Sequence, residues 1–328
     1  MSDFTPLQAL GEMRLIEPSG SGDGGDHLAR YLGHYGLAPL LAEHVGLYVG
    51  YVDARAFRLW TQVWSPDEPV GTAFVVHGYF DHLGLYRHLL EYLLKRRWRV
   101  VLWDLPGHGL SSGPRASIDD FDDYGGCLQA LQTHLEAEGL APRPWLGVGQ
   151  STGAAILATD ALTRGNDGHW AGLALLAPLV RPWGWSQSSW LHLLVGPFVR
   201  SIPRKFRANS TDAAFADFLR EGDPLQADRL AIGWVSAMRR WMPRLLALPP
   251  NPVKTLILQG EQDLTVDWEW NLEVLARKFP NAEIHRHPEA RHHLVNEAEP
   301  IRRALFDALD RFIDDLAPAA AHLEIERP

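Results

Sequence analysis

Residues 145–162 read WLGVGQSTGAAILATDAL. An apolar run of strand length, WLGV, leads into Gly149-Gln150-Ser151-Thr152-Gly153, and AAILATDAL continues as a helical pattern. The five central residues fit G-x-S-x-G, in which small residues on either side of a serine let the chain turn tightly and hold the hydroxyl outward at a helix N-terminus. A strand before and a helix after set Ser151 apart from a serine that merely caps a helix.

The same grammar recurs outward from this stretch. TAFVVHG (72–78), RVVLWDLPGHG (99–109), LALLAPL (173–179) and TLILQGEQD (255–263) are apolar runs that end in turn-forming residues. Continuous rather than alternating apolar strands suit a sheet covered on both faces. Helical patterns at Leu83–Arg96, Phe121–Glu138 and Thr152–Thr163 lie between them, so the expected fold is α/β with a mostly parallel, doubly wound sheet and right-handed crossovers. Leu47–Val52 and Ala56–Trp64 alternate as strands do, with a turn around Asp53–Arg55, and predict an antiparallel hairpin ahead of that sheet.

About seventy residues between Leu179 and Val253 break the alternation, too many for a plain connection. They carry Trp183, Trp185, Trp190, Trp234 and Trp241, with basic residues at Arg200, Arg204, Lys205 and Arg207. The expected organisation is an N-terminal arm with a Gly/Ser-rich loop (1–44), a core (45–180 and 250–318), a mostly helical cap over the strand ends (181–249) and a tail (319–328). Trp183, Trp185, Trp190 and Trp234 are candidate substrate-binding residues, and the alternative is that they form the cap's own small core. Trp190–Phe198 and the Arg200–Arg207 cluster are the place for peripheral membrane contact, if there is any.

Chemistry in such sheets sits beyond the carboxyl ends of the strands. A serine hydroxyl needs a general base, itself oriented by a carboxylate, and the order Ser, Asp, His is the one expected on this architecture. Asp263 follows the strand TLILQ, with Asp267 as its rival; His292 and His293 follow the short strand EIHRHP, and either is a candidate base. Two backbone N–H groups must hold the oxyanion: that of Thr152, after the nucleophile, and one from the His77-Gly78-Tyr79 loop, assigned to Tyr79. Four histidines, His285, His287, His292 and His293, crowd one region, but without cysteines or a helical H-x-x-x-H spacing no metal site is expected. Asp104, His108 and Ser111 offer a second cluster of the same residue types.

The chain has 328 residues, 46% hydrophobic and 22% charged, in the range of ordinary globular proteins. Lys plus Arg total 31 and Asp plus Glu 40, a net charge of −9 that disfavours nucleic acid as a partner. Cys127, the single cysteine, excludes an intrachain disulfide and reads as a buried thiol. The first residues, MSDFTPLQALGEMRLIEP, have acids at Asp3 and Glu12 and no uninterrupted apolar core, and no stretch of about 18 apolar residues occurs elsewhere. The expectation is a soluble, cytoplasmic protein; its oligomeric state is not legible.

Taken together the motifs resemble the α/β-hydrolase superfamily, and within it the branch of monoacylglycerol lipases, lysophospholipases and serine aminopeptidase-type hydrolases. The resemblance runs from Val45 to Leu316 and rests on HGYFDH (77–82), DLPGHGLSSGPR (104–115), GQSTG (149–153), Asp223-Pro224-Leu225, GEQDLTVD (260–267) and ARHHLVNE (290–297). It implies an α/β-hydrolase fold and a cofactor-free serine hydrolase that cleaves a small acyl ester through an acyl-enzyme. It also implies His292 as the base, and residues 104–115 as a turn bracing the site. Amide or peptide cleavage, C–C bond hydrolysis, acyl transfer and non-catalytic ligand binding use the same scaffold. Two positions depart from the family pattern, in which His usually precedes the serine and Met follows it: here they are Gln150 and Thr152.

Overall fold

The computed structural model describes residues 4–16, 25–41, 44–185, 199–204 and 206–321. Among them is a nine-stranded sheet. In spatial order it comprises β1 (Arg14–Ile16), β2 (Val45–Ala54), β3 (Phe57–Pro66), β5 (Trp98–Trp103), β4 (Gly71–Val76), β6 (Trp145–Gln150), β7 (Trp170–Leu176), β10 (Thr255–Gly260) and β11 (Ala282–His287). The pairs from β1 to β5 are antiparallel and those from β5 to β11 parallel. The helices are α1 (Gly25–His34), α2 (Arg87–Lys95), α3 (Asp122–Ala137), α4 (Thr152–Arg164), α5 (Ala213–Asp217), α6 (Ile232–Ala247), α7 (Trp268–Lys278) and α8 (Glu299–Ala321).

Both faces of the central strands are apolar because each meets a helical layer. Ala73, Val75, Val100, Leu102, Leu146, Val148, Leu256 and Leu258 join one buried cluster with residues of α1, α2 and α8. Their neighbours Phe74, Val76, Val101, Trp103, Trp145 and Ile257 join another with α3, α4 and α6. The period-two alternation is therefore present, but it sorts apolar residues between two cores, which is why the strands read as unbroken apolar runs.

Two segments differ from their sequence reading. Residues before 45 are more than an arm: β1 adds an edge strand beside β2, and α1 buries Leu28, Tyr31 and Leu32 in the first cluster. Three strand residues and a one-sided apolar helix are weak signals alone, and packing against the completed sheet decides them. Between β7 and β10 the described residues include not only helices but a two-stranded antiparallel sheet, β8 (Ser201–Pro203) with β9 (Arg229–Ala231). Trp190–Phe198 and Lys205 lie outside the described residues.

The sheet order turns around at β4. The chain goes from β4 to β5 on one side and returns to β6 on the other, so the loops after β4 and β6 leave adjacent strand ends and open a crevice between them. Val76 and Gly149 are register partners at that edge. There α4 presses so closely on β4 that a Cβ on Gly153 would lie 2.0 Å from the Val76 carbonyl oxygen. Backbone cannot yield as a flexible side chain can. Gly153→Ala is expected to destabilise the fold by about 3 kcal/mol or more, measured by urea denaturation; wild-type stability in this variant would contradict the packing described.

Candidate active site

Ser151 occupies a left-handed conformation, φ 55° and ψ −110°, between the last residue of β6 and the first of α4. Non-glycine residues rarely hold such angles, and here the surroundings impose them. The Ser151 amide donates to the Leu176 carbonyl at 2.8 Å, while its own carbonyl accepts from Ala155 (3.1 Å) and Leu179 (3.2 Å). A side chain on Gly149 would strike the Ala154 nitrogen at 2.5 Å, so both motif glycines are required by backbone meeting backbone. Gly78, after β4, lies just as near: its hypothetical Cβ would be 3.3 Å from Ser151 Cβ.

Asp263 follows β10 in a turn that buries its carboxylate. It accepts from the amides of Thr265 (2.7 Å) and Val266 (3.2 Å), from Gln259 Nε2 (3.1 Å) and from His292 Nδ1 (2.7 Å). Burial alone would raise its pKa, but His292 and these donors outweigh burial and hold it below the ordinary carboxylate value. Asp267 instead pairs with Arg181 at 2.6 Å. With Nδ1 committed to Asp263, His292 has Nε2 as its basic nitrogen. Its pKa moves up: burial lowers it, and the Asp263 charge more than offsets that.

The two adjacent histidines part company. His292 goes to Asp263, whereas His293 Nε2 lies 3.1 Å from Asp81 Oδ2 in the loop after β4. The main chain of His292 is held from two directions: its amide donates to the Asn209 carbonyl (3.0 Å), and its carbonyl accepts from Gln150 Nε2 (2.7 Å). Gln150 immediately precedes Ser151, so that bond draws the His292 loop onto the turn that carries Ser151. Sequence reasoning noted Gln150 only as a departure from the family pattern. Its role was invisible because it depends on a backbone atom 142 residues away.

Tyr79 and Thr152 flank the crevice, and among the described residues neither amide donates to a protein acceptor. The peptide that carries the Tyr79 N–H is oriented by its other end. The Leu105 amide donates to His77 Nε2 (2.8 Å), so the proton of His77 is on Nδ1, which donates to the Gly78 carbonyl (2.7 Å). Burial drives the His77 pKa down to about 3, keeping the ring neutral for this use. In a trans peptide the N–H points opposite the C=O, so fixing the Gly78 carbonyl aims the Tyr79 amide.

A model of the serine aminopeptidase, S33, family matches residues 67–299. The chain belongs to that family. Human monoglyceride lipase is 32% identical over 132 residues, 39% of this chain and 42% of the human protein, so the chain aligns with about two fifths of that relative. The monoglyceride lipase homolog of Monkeypox virus is 24% identical over 265 residues, 78% of this chain and 94% of the viral one. Among solved structures, the monoacylglycerol lipase of Paleococcus ferrophilus superposes with a TM-score of 0.65 at 20% identity, covering 78% of this chain and 98% of that one. A soluble variant of monoglyceride lipase from Saccharomyces cerevisiae, in complex with a substrate analog, gives 0.69 at 18%, covering 81% and 94%. The fold is that of an α/β-hydrolase.

Within this family frame, Asp104, His108 and Ser111 do not face one another as a relay. The Asp104 carboxylate accepts from the amides of Leu83 (2.8 Å) and Leu110 (2.7 Å), Ser111 Oγ donates to the Asp104 carbonyl (2.6 Å), and His108 Nδ1 meets the Pro106 carbonyl (3.0 Å). The cap tryptophans are dispersed. Trp183 is 56% exposed, Trp185 is half-buried against the second cluster, Trp190 lies outside the described residues, and Trp234 is buried with its ring stacked on Tyr79 at 4.0 Å. A cavity of about 520 Å³ adjoins His292, and among the described residues its walls include Arg207, Asn209, Thr211, Gln262 and Arg291 but not Trp183, Trp185 or Trp234. Trp234 therefore joins cap to core, as does the Tyr79 hydroxyl, which donates to the Ala116 carbonyl (2.7 Å) and accepts from the Ala231 amide (3.3 Å). Among the described residues no group of three or more His, Cys, Asp or Glu is placed to hold a metal. Burial pushes the Cys127 thiol up to about 12, leaving it protonated and unreactive at neutral pH.

An imidazole must be neutral to accept a proton, and the pKa of His292 is raised. The acidic limb of kcat/KM is therefore expected to have its midpoint above 6.5, the ordinary histidine value. A pH–rate profile on an uncharged ester checks this, and a midpoint below 6.5 would contradict the Asp263–His292 coupling.

Proposed function

We propose that this chain is a serine hydrolase that cleaves carboxylic esters through an acyl-enzyme, with monoacylglycerol or lysophospholipid-like substrates. The observation that carries the proposal is the Asp263–His292 couple, tied by Gln150 to the left-handed turn that displays Ser151. Relatives and structural neighbours named as monoglyceride or monoacylglycerol lipases support the substrate class.

Ser151 Oγ attacks the acyl carbon while His292 Nε2 takes its proton, and Asp263 holds the ring in the tautomer with hydrogen on Nδ1. The amides of Tyr79 and Thr152 receive the negative charge that develops on the carbonyl oxygen, each such donor contributing about 10²–10³ in rate. His292 returns the proton to the leaving alcohol, then activates water to release the acid. No step calls for a cofactor. Among the described residues no helix is long and apolar enough to cross a membrane.

Ser151→Ala is expected to lower kcat on an ester by about 10⁴–10⁶ and to abolish labelling by a fluorophosphonate probe. Retention of a tenth of wild-type turnover would exclude Ser151 as nucleophile. If an apolar channel receives the acyl chain, kcat/KM on p-nitrophenyl esters should rise by up to about fourfold per methylene, from roughly 0.8 kcal/mol each, until the channel is full. A flat series from acetate to laurate would remove the lipid-ester reading and leave short esters or aminoacyl amides.

A further inference from the structure

We infer that Asp81 and His293 form a second histidine–carboxylate couple whose task is to fix the oxyanion loop against the base loop, making His293 a positioning residue for the reaction at Ser151. The inference rests on the serine-hydrolase reading above and extends it to residues with no part in the proton relay.

The couple is fully enclosed, with both side chains buried. His293 Nδ1 accepts from Asn296 Nδ2 at 3.4 Å, an amide that also donates to the Leu85 carbonyl at 2.8 Å. On a neutral ring this leaves the proton on Nε2, which lies 3.1 Å from Asp81 Oδ2 as a close charge contact without the alignment of a hydrogen bond. Asp81 Oδ2 accepts a hydrogen bond from the Tyr86 hydroxyl (3.1 Å), which in turn accepts from the Gly78 amide (3.1 Å). The same oxygen lies 2.9 Å from where a Cβ on Gly78 would be. The Asp81 amide donates to the Gly78 carbonyl at 3.2 Å, beside the bond from His77. Gly78 is thus held at its N–H by the Tyr86 hydroxyl that Asp81 orients and at its C=O by the Asp81 amide and by His77, with the Asp81 carboxylate packed against its Cα.

On the other side His293 shares its anchor with the base. The amides of His292 (3.0 Å) and His293 (2.8 Å) both donate to the Asn209 carbonyl, so a displacement of one ring is passed to the other. The consequence is geometric. A tetrahedral intermediate must place its oxyanion at the Tyr79 and Thr152 amides while its leaving oxygen stands at His292 Nε2, and these groups belong to different loops. Asp81–His293 is the side-chain link that sets the distance between those two loops. Small errors there are costly because donors must match the position the oxyanion takes up, not the ground-state carbonyl.

The test is a set of variants assayed on a p-nitrophenyl ester, with sites counted by fluorophosphonate titration and folding checked by thermal melting. His293→Leu keeps bulk without a donor and should lower kcat per titrated site about 10²-fold, the scale of one lost oxyanion donor, with KM nearly unchanged. His293→Gln retains an N–H toward Asp81 and should recover most of that loss. Asp81→Asn should fall as His293→Leu does, and the double variant Asp81→Asn/His293→Leu should be little worse than either single one, because both remove one link. Should His293→Leu fail to fold, Asp81→Asn and His293→Gln decide. Undiminished kcat in Asp81→Asn, additive losses in the double variant, equal losses in the Leu and Gln variants, or a loss confined to KM would each overturn the inference. Wild-type protein that shows no Ser151-dependent hydrolysis would instead defeat the serine-hydrolase reading beneath it.

Discussion

The site depends on one backbone constraint: a serine held at positive φ because a helix and two strands meet with nothing but main chain between them. A residue in that conformation stores about 1–3 kcal/mol of strain, and it persists only where the surroundings over-determine it. At Ser151 they do so through glycine. The Gly153 Cα rests on the Val76 carbonyl, the Gly149 Cα faces the start of α4, and the Gly78 Cα approaches the serine itself. The order reversal at β4 makes those three approaches coincide.

The loops around the elbow are fixed by buried polar groups whose partners come from elsewhere in the chain. Asp263 and Gln150 hold His292; His77, Asp81 and Tyr86 hold the peptide before Tyr79. The insertion between β7 and β10 takes part through main chain and side chain. Asn209 accepts from both histidine amides, Ser210 Oγ donates to the Asn296 carbonyl (2.6 Å), and the buried Glu297 carboxylate accepts from the amides of Thr211 (2.7 Å) and Arg291 (2.5 Å). The base loop is therefore assembled jointly by the sheet and the insertion. At the far side the buried pair His82–Asp223 (2.9 Å) joins the β4 loop to the same insertion, and Tyr35 donates to Asp223 at 2.8 Å from the N-terminal segment. Desolvation makes such a pair a poor source of stability, but it admits few alternative geometries, which suits a junction of three segments.

Much of this was legible from residue order. The strands of the central sheet, the turn at 149–153 and the acid after TLILQ announce themselves by local pattern, because their requirements fall within a few residues of one another. The N-terminal segment was read as an appendage because β1 has three residues and no periodicity to show. The tryptophans stayed ambiguous in sequence, since large aromatic rings suit a ligand pocket and a core equally; in the fold Trp234 stacks on Tyr79 while Trp183 stands in solvent.

By itself the sequence determined a parallel sheet with a serine at a strand-to-helix turn and a carboxylate beyond a later strand, since apolar periodicity and glycine spacing are local properties that any fold containing them must respect. Only the tertiary structure tells the two neighbouring histidines apart. Their immediate contexts are nearly identical, and what separates them is the carboxylate each meets across the crevice: Asp263 at 2.7 Å for one ring, Asp81 at 3.1 Å for the other.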